Sequence, residues 1–204
     1  MAATGTKMSK KSPYSMHPSF DYEEAGLRNI KERTGKTLEQ WIQIVKKQGP
    51  ADEKSHPAWL KKQGLTTNYA GWVVSRASGH GGRENHDPGG LVEAMYAGPK
   101  AALRPIHERL LKLGLSIAKN VKACPCSTIV PLYRNHVIAQ IKPTTQTRID
   151  IGFALGGMKP TGRLIDTGGF AKKDRITHRI PITSLSEIND EVKRWLKKAY
   201  ELDA

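Results

Sequence analysis

Apolar residues recur at helical spacing through the first part of the chain. Tyr22, Leu27 and Ile30 follow Ser19, a residue that can cap a helix, and Gly35 stands where such a helix would stop. Thr37-Leu38-Glu39-Gln40 then has capping-box form, and Leu38, Trp41, Ile42 and Val45 continue the stripe as far as Gly49-Pro50. Pro57 suits the first turn of a third helix bearing Trp59 and Leu60, closed by Gly64 with Leu65 as its hydrophobic contact. Thr66 or Thr67 opens a fourth, carrying Tyr69, Ala70, Trp72 and Val73. Residues 19–78 are therefore expected to form a compact module of three or four short helices. The tight glycine turn between the last two has the form of a helix-turn-helix. Its second helix would show only Asn68, Ser75 and Arg76 outward, so a small bundle with a tight turn is the simpler reading.

Gly79 to Gly90 reads as a linker by composition. Beyond it Leu103, Ile106, Leu110 and Ile117 return to helical spacing, and Pro105 is expected to start or kink that helix. After Pro125 the period changes to two. Val137, Ala139 and Ile141 alternate with Ile138, Gln140 and Lys142. In Arg148 to Leu155, Ile149, Ile151, Phe153 and Leu155 face one way, and Arg148, Asp150 and Gly152 the other. Thr128–Tyr133 and Arg175–Ile182 are further strands, with a short piece around Leu164-Ile165. The chain closes on a strongly amphipathic helix: Ser184 and Glu187 form a capping box before Leu185, Ile188, Val192, Trp195, Leu196 and Ala199. The fold class expected is α+β. A small helical module precedes a two-layer α/β sandwich over residues 91–204, ordered helix, about four antiparallel strands, helix.

Charge changes this picture most. The chain has 204 residues and a net charge of +14, spread over both halves. Such an excess favours polyanions, although solubility alone would also account for it. Residues 1–18 carry Lys7, Lys10 and Lys11 without an apolar stretch, and read as a disordered basic tail rather than a secretory signal. No apolar run is long enough to span a bilayer, so no membrane partner is expected. Cys124 and Cys126, flanking Pro125, are too close for an ordinary disulfide and suit a reducing, cytoplasmic setting.

Candidate chemistry is sparse. No phosphate loop, dinucleotide fingerprint, nucleophile elbow or zinc-helix motif occurs, so no catalytic residue, metal or cofactor is assigned. His80, Glu84, His86 and Asp87 lie in a glycine-rich segment whose ordering around a metal would cost much entropy. His178 shares the parity of Ile176, Ile180 and Ile182, which marks it as a core-edge histidine. One constellation stands out. Gln140, Lys142, Arg148, Asp150 and Arg179 share the outward parity of their strands, and Arg134 lies in the preceding turn. If these strands are neighbours, the polar groups converge on one open sheet face. Arginines there can hold an anion through paired hydrogen bonds, or they can simply be neutralised across the strands by Asp150.

Several segments carry a resemblance. Asn29-Ile30-Lys31-Glu32-Arg33-Thr34-Gly35-Lys36-Thr37, with Trp59-Leu60-Lys61 and Gly64-Leu65, resembles a small helical bacterial domain of unknown function. Lys142-Pro143, Thr147 to Gly152, Gly162-Arg163-Leu164, Thr177-His178-Arg179 and Trp195 to Tyr200 resemble the C-terminal domain that often follows it. That second module is also distantly similar to YdhG-like proteins and the wider frataxin-like sandwich, a group with iron-chaperone and DNA-binding members. Frataxins hold iron on an acidic helix ridge. The corresponding helix here bears Lys100, Arg104, Arg109 and Lys112, so the resemblance implies no iron role. The expectation is a non-catalytic binding protein for nucleic acid or another polyanion. Arg134, Lys142, Arg148, Arg163 and Arg179 are its candidate contacts. The alternative is a scaffold for a small anionic ligand or a protein, using the arginine-rich sheet face.

Overall fold

A computed structural model describes residues 12–204. Two compact units are present, one over residues 16–87 and the other formed by Pro88–Ala204 with residues 12–15. Of the expected basic tail, residues 1–11 lie outside the described residues.

The first unit is helical: α1 (Ser19–Arg28), α2 (Ile30–Thr34), α3 (Leu38–Gln48), α4 (His56–Lys62) and α5 (Thr67–Ala77). The single helix expected over residues 19–34 is broken at Asn29, whose amide bonds the Gly26 carbonyl three residues back, and Gly35 ends α2 at φ 76°. The Thr37–Gln40 capping box forms in both directions and starts α3. Ile30, Trp41, Val45, Leu60, Leu65, Ala70 and Val73 make the core. The Trp41 indole N–H donates to Thr34 Oγ1 at 2.8 Å, which joins α3 to α2.

The segment expected to be a linker is instead part of both units. Arg83 pairs with Glu24 at 2.9 Å and with Asp21, and Arg76 reaches Glu23 and Glu84, each at 3.1 Å. The Asn85 amide ties back to the Gly79 and Gly81 carbonyls. Residues 79–87 thus fold over α5 as a strap, and Pro88–Gly90 form the first turn of α6 (Pro88–Met95). The composition is that of a linker, but the charged residues within it find partners on α1 and α5.

In the second unit α7 (Arg104–Leu115) begins with Pro105 in its first turn, and the chain then forms an antiparallel sheet. Six strands, rather than about four, make it up: β1 (Lys122–Ala123), β2 (Val130–Tyr133), β3 (Val137–Pro143), β4 (Ile149–Phe153), β5 (Ile165–Asp166) and β6 (His178–Ile182). Their order is β1-β2-β3-β4-β6-β5. The two strands beyond four are two-residue edge pieces: β5 falls at the short piece expected around Leu164-Ile165, and β1 is too short to show a period. Tyr14 adds a parallel bridge beside Ala123. α8 (Asp190–Glu201) and α7 pack on one face, enclosing Leu110, Leu132, Ile141, Ile151, Phe153, Ile180, Val192 and Leu196. The capping box of Ser184 and Glu187 closes a short 3-10 turn rather than α8, which Asn189 caps instead. No described helix is long and apolar enough to cross a membrane.

Candidate anion-binding groove

Strand register decides what meets on the second sheet face. Lys142 stands opposite Asp150, and Asp150 opposite Pro181. Gln140 stands opposite Gly152, and Gly152 opposite Arg179. Lys142, Asp150 and Arg179 are therefore gathered on one face, with Arg148 at the foot of β4. This face is not open, as the strand pattern alone suggested. The loop Thr167–Ile176 closes over it. Gly152 permits this, since a Cβ there would lie 2.7 Å from Ile176 Cγ2. The result is a groove of about 490 Å³, within the range of small-ligand sites.

Its electrostatics are unbalanced. Asp150 is buried, with Arg148 Nε at 3.0 Å and Arg179 Nη1 at 3.3 Å from the same oxygen, Oδ1. Both approaches are charge contacts without hydrogen-bond direction. Arg148 Nε and Asp150 Oδ1 are buried and have no hydrogen-bond partner. Thr144 donates its hydroxyl to Oδ2 at 2.9 Å. Lys142 has no carboxylate within pairing distance among the described residues. Two arginines thus share one oxygen of Asp150, Lys142 stands unpaired near them, and Asp174 is the second carboxylate of the lining. Much of the arginines' hydrogen-bonding capacity is unused.

Arg134 and Arg163 lie elsewhere and do other work. Arg134 donates to the Tyr200 carbonyl at 2.8 Å and stacks its guanidinium 4.3 Å above the Tyr200 ring, fastening the β2–β3 turn to α8. Arg163 donates to Glu191, to the Glu187 carbonyl and to Asn189 Oδ1. This bond from Arg163 holds the Glu191 carboxyl below its ordinary range. Arg163 is held by acceptors far along the chain, and Arg134, half-buried and away from the groove, spends one donor and its flat face on Tyr200.

Sequence reasoning missed Arg175, Thr144 and Thr167, which also line the groove. The parity of Arg175, four residues before Arg179 in the same strand candidate, was the available signal. Arg175 donates Nε to the Val137 carbonyl at 2.9 Å and pairs with Asp203. Asp203 also accepts the Asn135 and His136 amides and the His136 ring. Burial would raise its carboxyl, but these donors prevail and hold it below its ordinary value.

The remaining titratable candidates are structural. His178 is buried, with Nε2 on the Met158 carbonyl and Nδ1 on the Thr177 hydroxyl, each at 2.9 Å. A carbonyl only accepts, so Nε2 carries the proton and Nδ1 accepts from Thr177. Burial pushes the Cys124 thiol up to about 11 and raises Cys126, so neither is a thiolate near neutrality. Two of the three outward residues of the helix-turn-helix reading are also spent. Arg76 is ion-paired, and Gly81 of the strap packs on Ser75. Glu84 is taken by Arg76, and the His86 ring packs against Phe20 at 4.8 Å. Among the described residues no three His, Cys, Asp or Glu side chains cluster as a metal site. On the helix likened to the frataxin ridge, Arg104 pairs with Glu93 and Glu108.

The fold and groove define an α+β sheet module with a charged second face, preceded by a small helical module. Residues 92–203 match the family described as "Domain of unknown function (DUF5655)", and residues 24–78 match "Domain of unknown function (DUF4287)". The first match spans more than half of the chain, which belongs to the DUF5655 family and carries a DUF4287 module before it. No curated protein and no solved structure matches.

Proposed function

We propose that this protein binds phosphate-bearing polyanions, nucleic acid above all, through the sheet-face groove. One observation carries the reading: Arg148 and Arg179 meet one oxygen of Asp150 without a directed hydrogen bond, and Lys142 on the same face has no carboxylate partner among the described residues. A phosphate oxygen would satisfy them in the forked geometry that arginine favours. The wider field supports it. Seven arginines are ion-paired to carboxylates, whereas no lysine among the described residues is, so the lysines carry the net positive charge outward. The contacts expected are to phosphates rather than bases, so binding is weakly sequence-specific. The free thiols Cys124 and Cys126 fit the reducing cytoplasm.

A second reading, a small phosphorylated metabolite, is favoured by the roofed shape and the volume of the groove. Fluorescence anisotropy with labelled oligonucleotides, competed with inorganic phosphate and nucleotides, separates the two. The polyanion reading expects tight oligonucleotide binding at low salt, weakened about tenfold or more in the Arg148→Ala/Arg179→Ala protein. Undiminished binding by that variant would sink it. Displacement by a mononucleotide at matching affinity would favour the metabolite.

A further inference from the structure

The helical unit carries a second feature that its packing alone does not require. The Trp72 indole on α5 packs closely on the α1 backbone at Gly26, where a Cβ would come within 2.4 Å of the ring. Tyr69 stands at 90° to that ring, with centroids 5.4 Å apart, and its hydroxyl donates to the Gly26 carbonyl. These two rings are pinned. Tyr22 is not used in the same way: it meets Trp72 edge-on at 5.6 Å yet remains 63% exposed. The Asn68 amide donates to its hydroxyl at 3.3 Å, holding an exposed ring in place. Beside the rings, the side chains of Thr66, Thr67 and Arg33 complete a notch of about 560 Å³. Arg33 is exposed and has no carboxylate partner among the described residues, unlike Arg76 and Arg83 of the same unit.

We propose that this notch takes the base of an unpaired nucleotide within a single-stranded nucleic acid. A flat heteroaromatic ring finds a pre-positioned aromatic surface there, and the neighbouring phosphate finds the Arg33 guanidinium. Asn68, Thr66 and Thr67 offer hydrogen-bonding groups to base edges without selecting one base. This is the combination by which proteins hold single strands: a stacking ring that tolerates any base beside a cation for the backbone. A duplex keeps its bases stacked on one another and offers none to the notch. The proposal rests on the polyanion reading and narrows it, but it places the base contact in a different unit from the groove.

The test uses the full chain and three probes: a short single-stranded oligothymidylate, an abasic oligomer of the same length and charge, and free thymidine monophosphate. Tyr22→Ala is expected to weaken the oligothymidylate about tenfold and to leave the abasic oligomer unchanged. Tyr22→Phe, which keeps the ring, should bind as the parent does. Arg148→Ala/Arg179→Ala should weaken both oligomers alike, so a failed notch and a failed groove give different patterns. Equal binding of the two oligomers by the parent protein, or an equal loss of both in Tyr22→Ala, would overturn the notch. Free monophosphate binding as tightly as the oligomer would overturn the assignment to a strand.

Discussion

Two arginine-rich regions of the sheet unit use the same chemistry to opposite ends. At the start of α8, Arg163 meets both oxygens of Glu191 through its amide and Nε, and Nη2 reaches the Glu187 carbonyl and Asn189. On the sheet face, Arg148 and Arg179 crowd one oxygen of Asp150 and make no directed hydrogen bond. A saturated guanidinium has its binding capacity spent on the fold. An unsaturated one, held in place by charge alone, keeps donors for a partner. Asp203 and His107 belong with the saturated sites. His107 is fully buried between two tyrosine hydroxyls, Tyr14 on Nε2 and Tyr96 on Nδ1, each at 3.0 Å.

Breaking the saturated sites should cost stability without weakening binding. The largest effect is expected for Asp203→Ala, which strands the Asn135 and His136 backbone amides and removes the carboxylate partner of the half-exposed Arg175. A loss of about 3–5 kcal/mol in urea unfolding is expected from the stranded amides, and oligonucleotide affinity should not fall, since Arg175 in the groove lining loses its carboxylate. His107 comes next, through pH. Burial pushes it down to about 4, from an unfolded value near 6.5. A group depressed on folding contributes stability that is complete above its unfolded value and is lost as pH falls toward its folded one. Unfolding free energy should therefore drop by roughly 3 kcal/mol between about pH 6.5 and 4, and His107→Gln should flatten that slope. A parent protein equally stable across this window would refute the buried, neutral imidazole.

Smaller effects sharpen the contrast directly. Arg163→Ala should cost about 1–2 kcal/mol, allowing for partial solvent screening, and should not change anion binding. Arg179→Ala should do the reverse, with stability within about 1 kcal/mol of the parent and oligonucleotide affinity down about tenfold. Thermal unfolding and anisotropy on the same two preparations read both quantities. Identical behaviour of the two variants would erase the distinction.

Much of this was legible in the chain. The parity of Gln140, Lys142, Asp150 and Arg179 placed them on one face because a strand side chain can point only two ways. The Thr37–Gln40 box and the stop at Gly35 were local signals of the same kind. The roles of Arg134 and Arg163 were not legible, since their acceptors on Tyr200, Glu187, Asn189 and Glu191 lie tens of residues away and only folding brings them together. Nor was the roof over the sheet face, which depends on Gly152 leaving room for Ile176. The strap over α5 was hidden for a related reason: its glycines look like a linker, while Arg83 and Glu84 anchor it to partners elsewhere in the helical unit.

The most direct measurement is the oligonucleotide affinity of Asp150→Asn across a salt series. Removing the shared carboxylate should free both arginines, so affinity at low salt should rise several-fold and the salt dependence should steepen by about one phosphate contact. An affinity that falls as it does in Arg179→Ala would mean that Asp150 organises a structural cluster and that the groove is not where the anion sits.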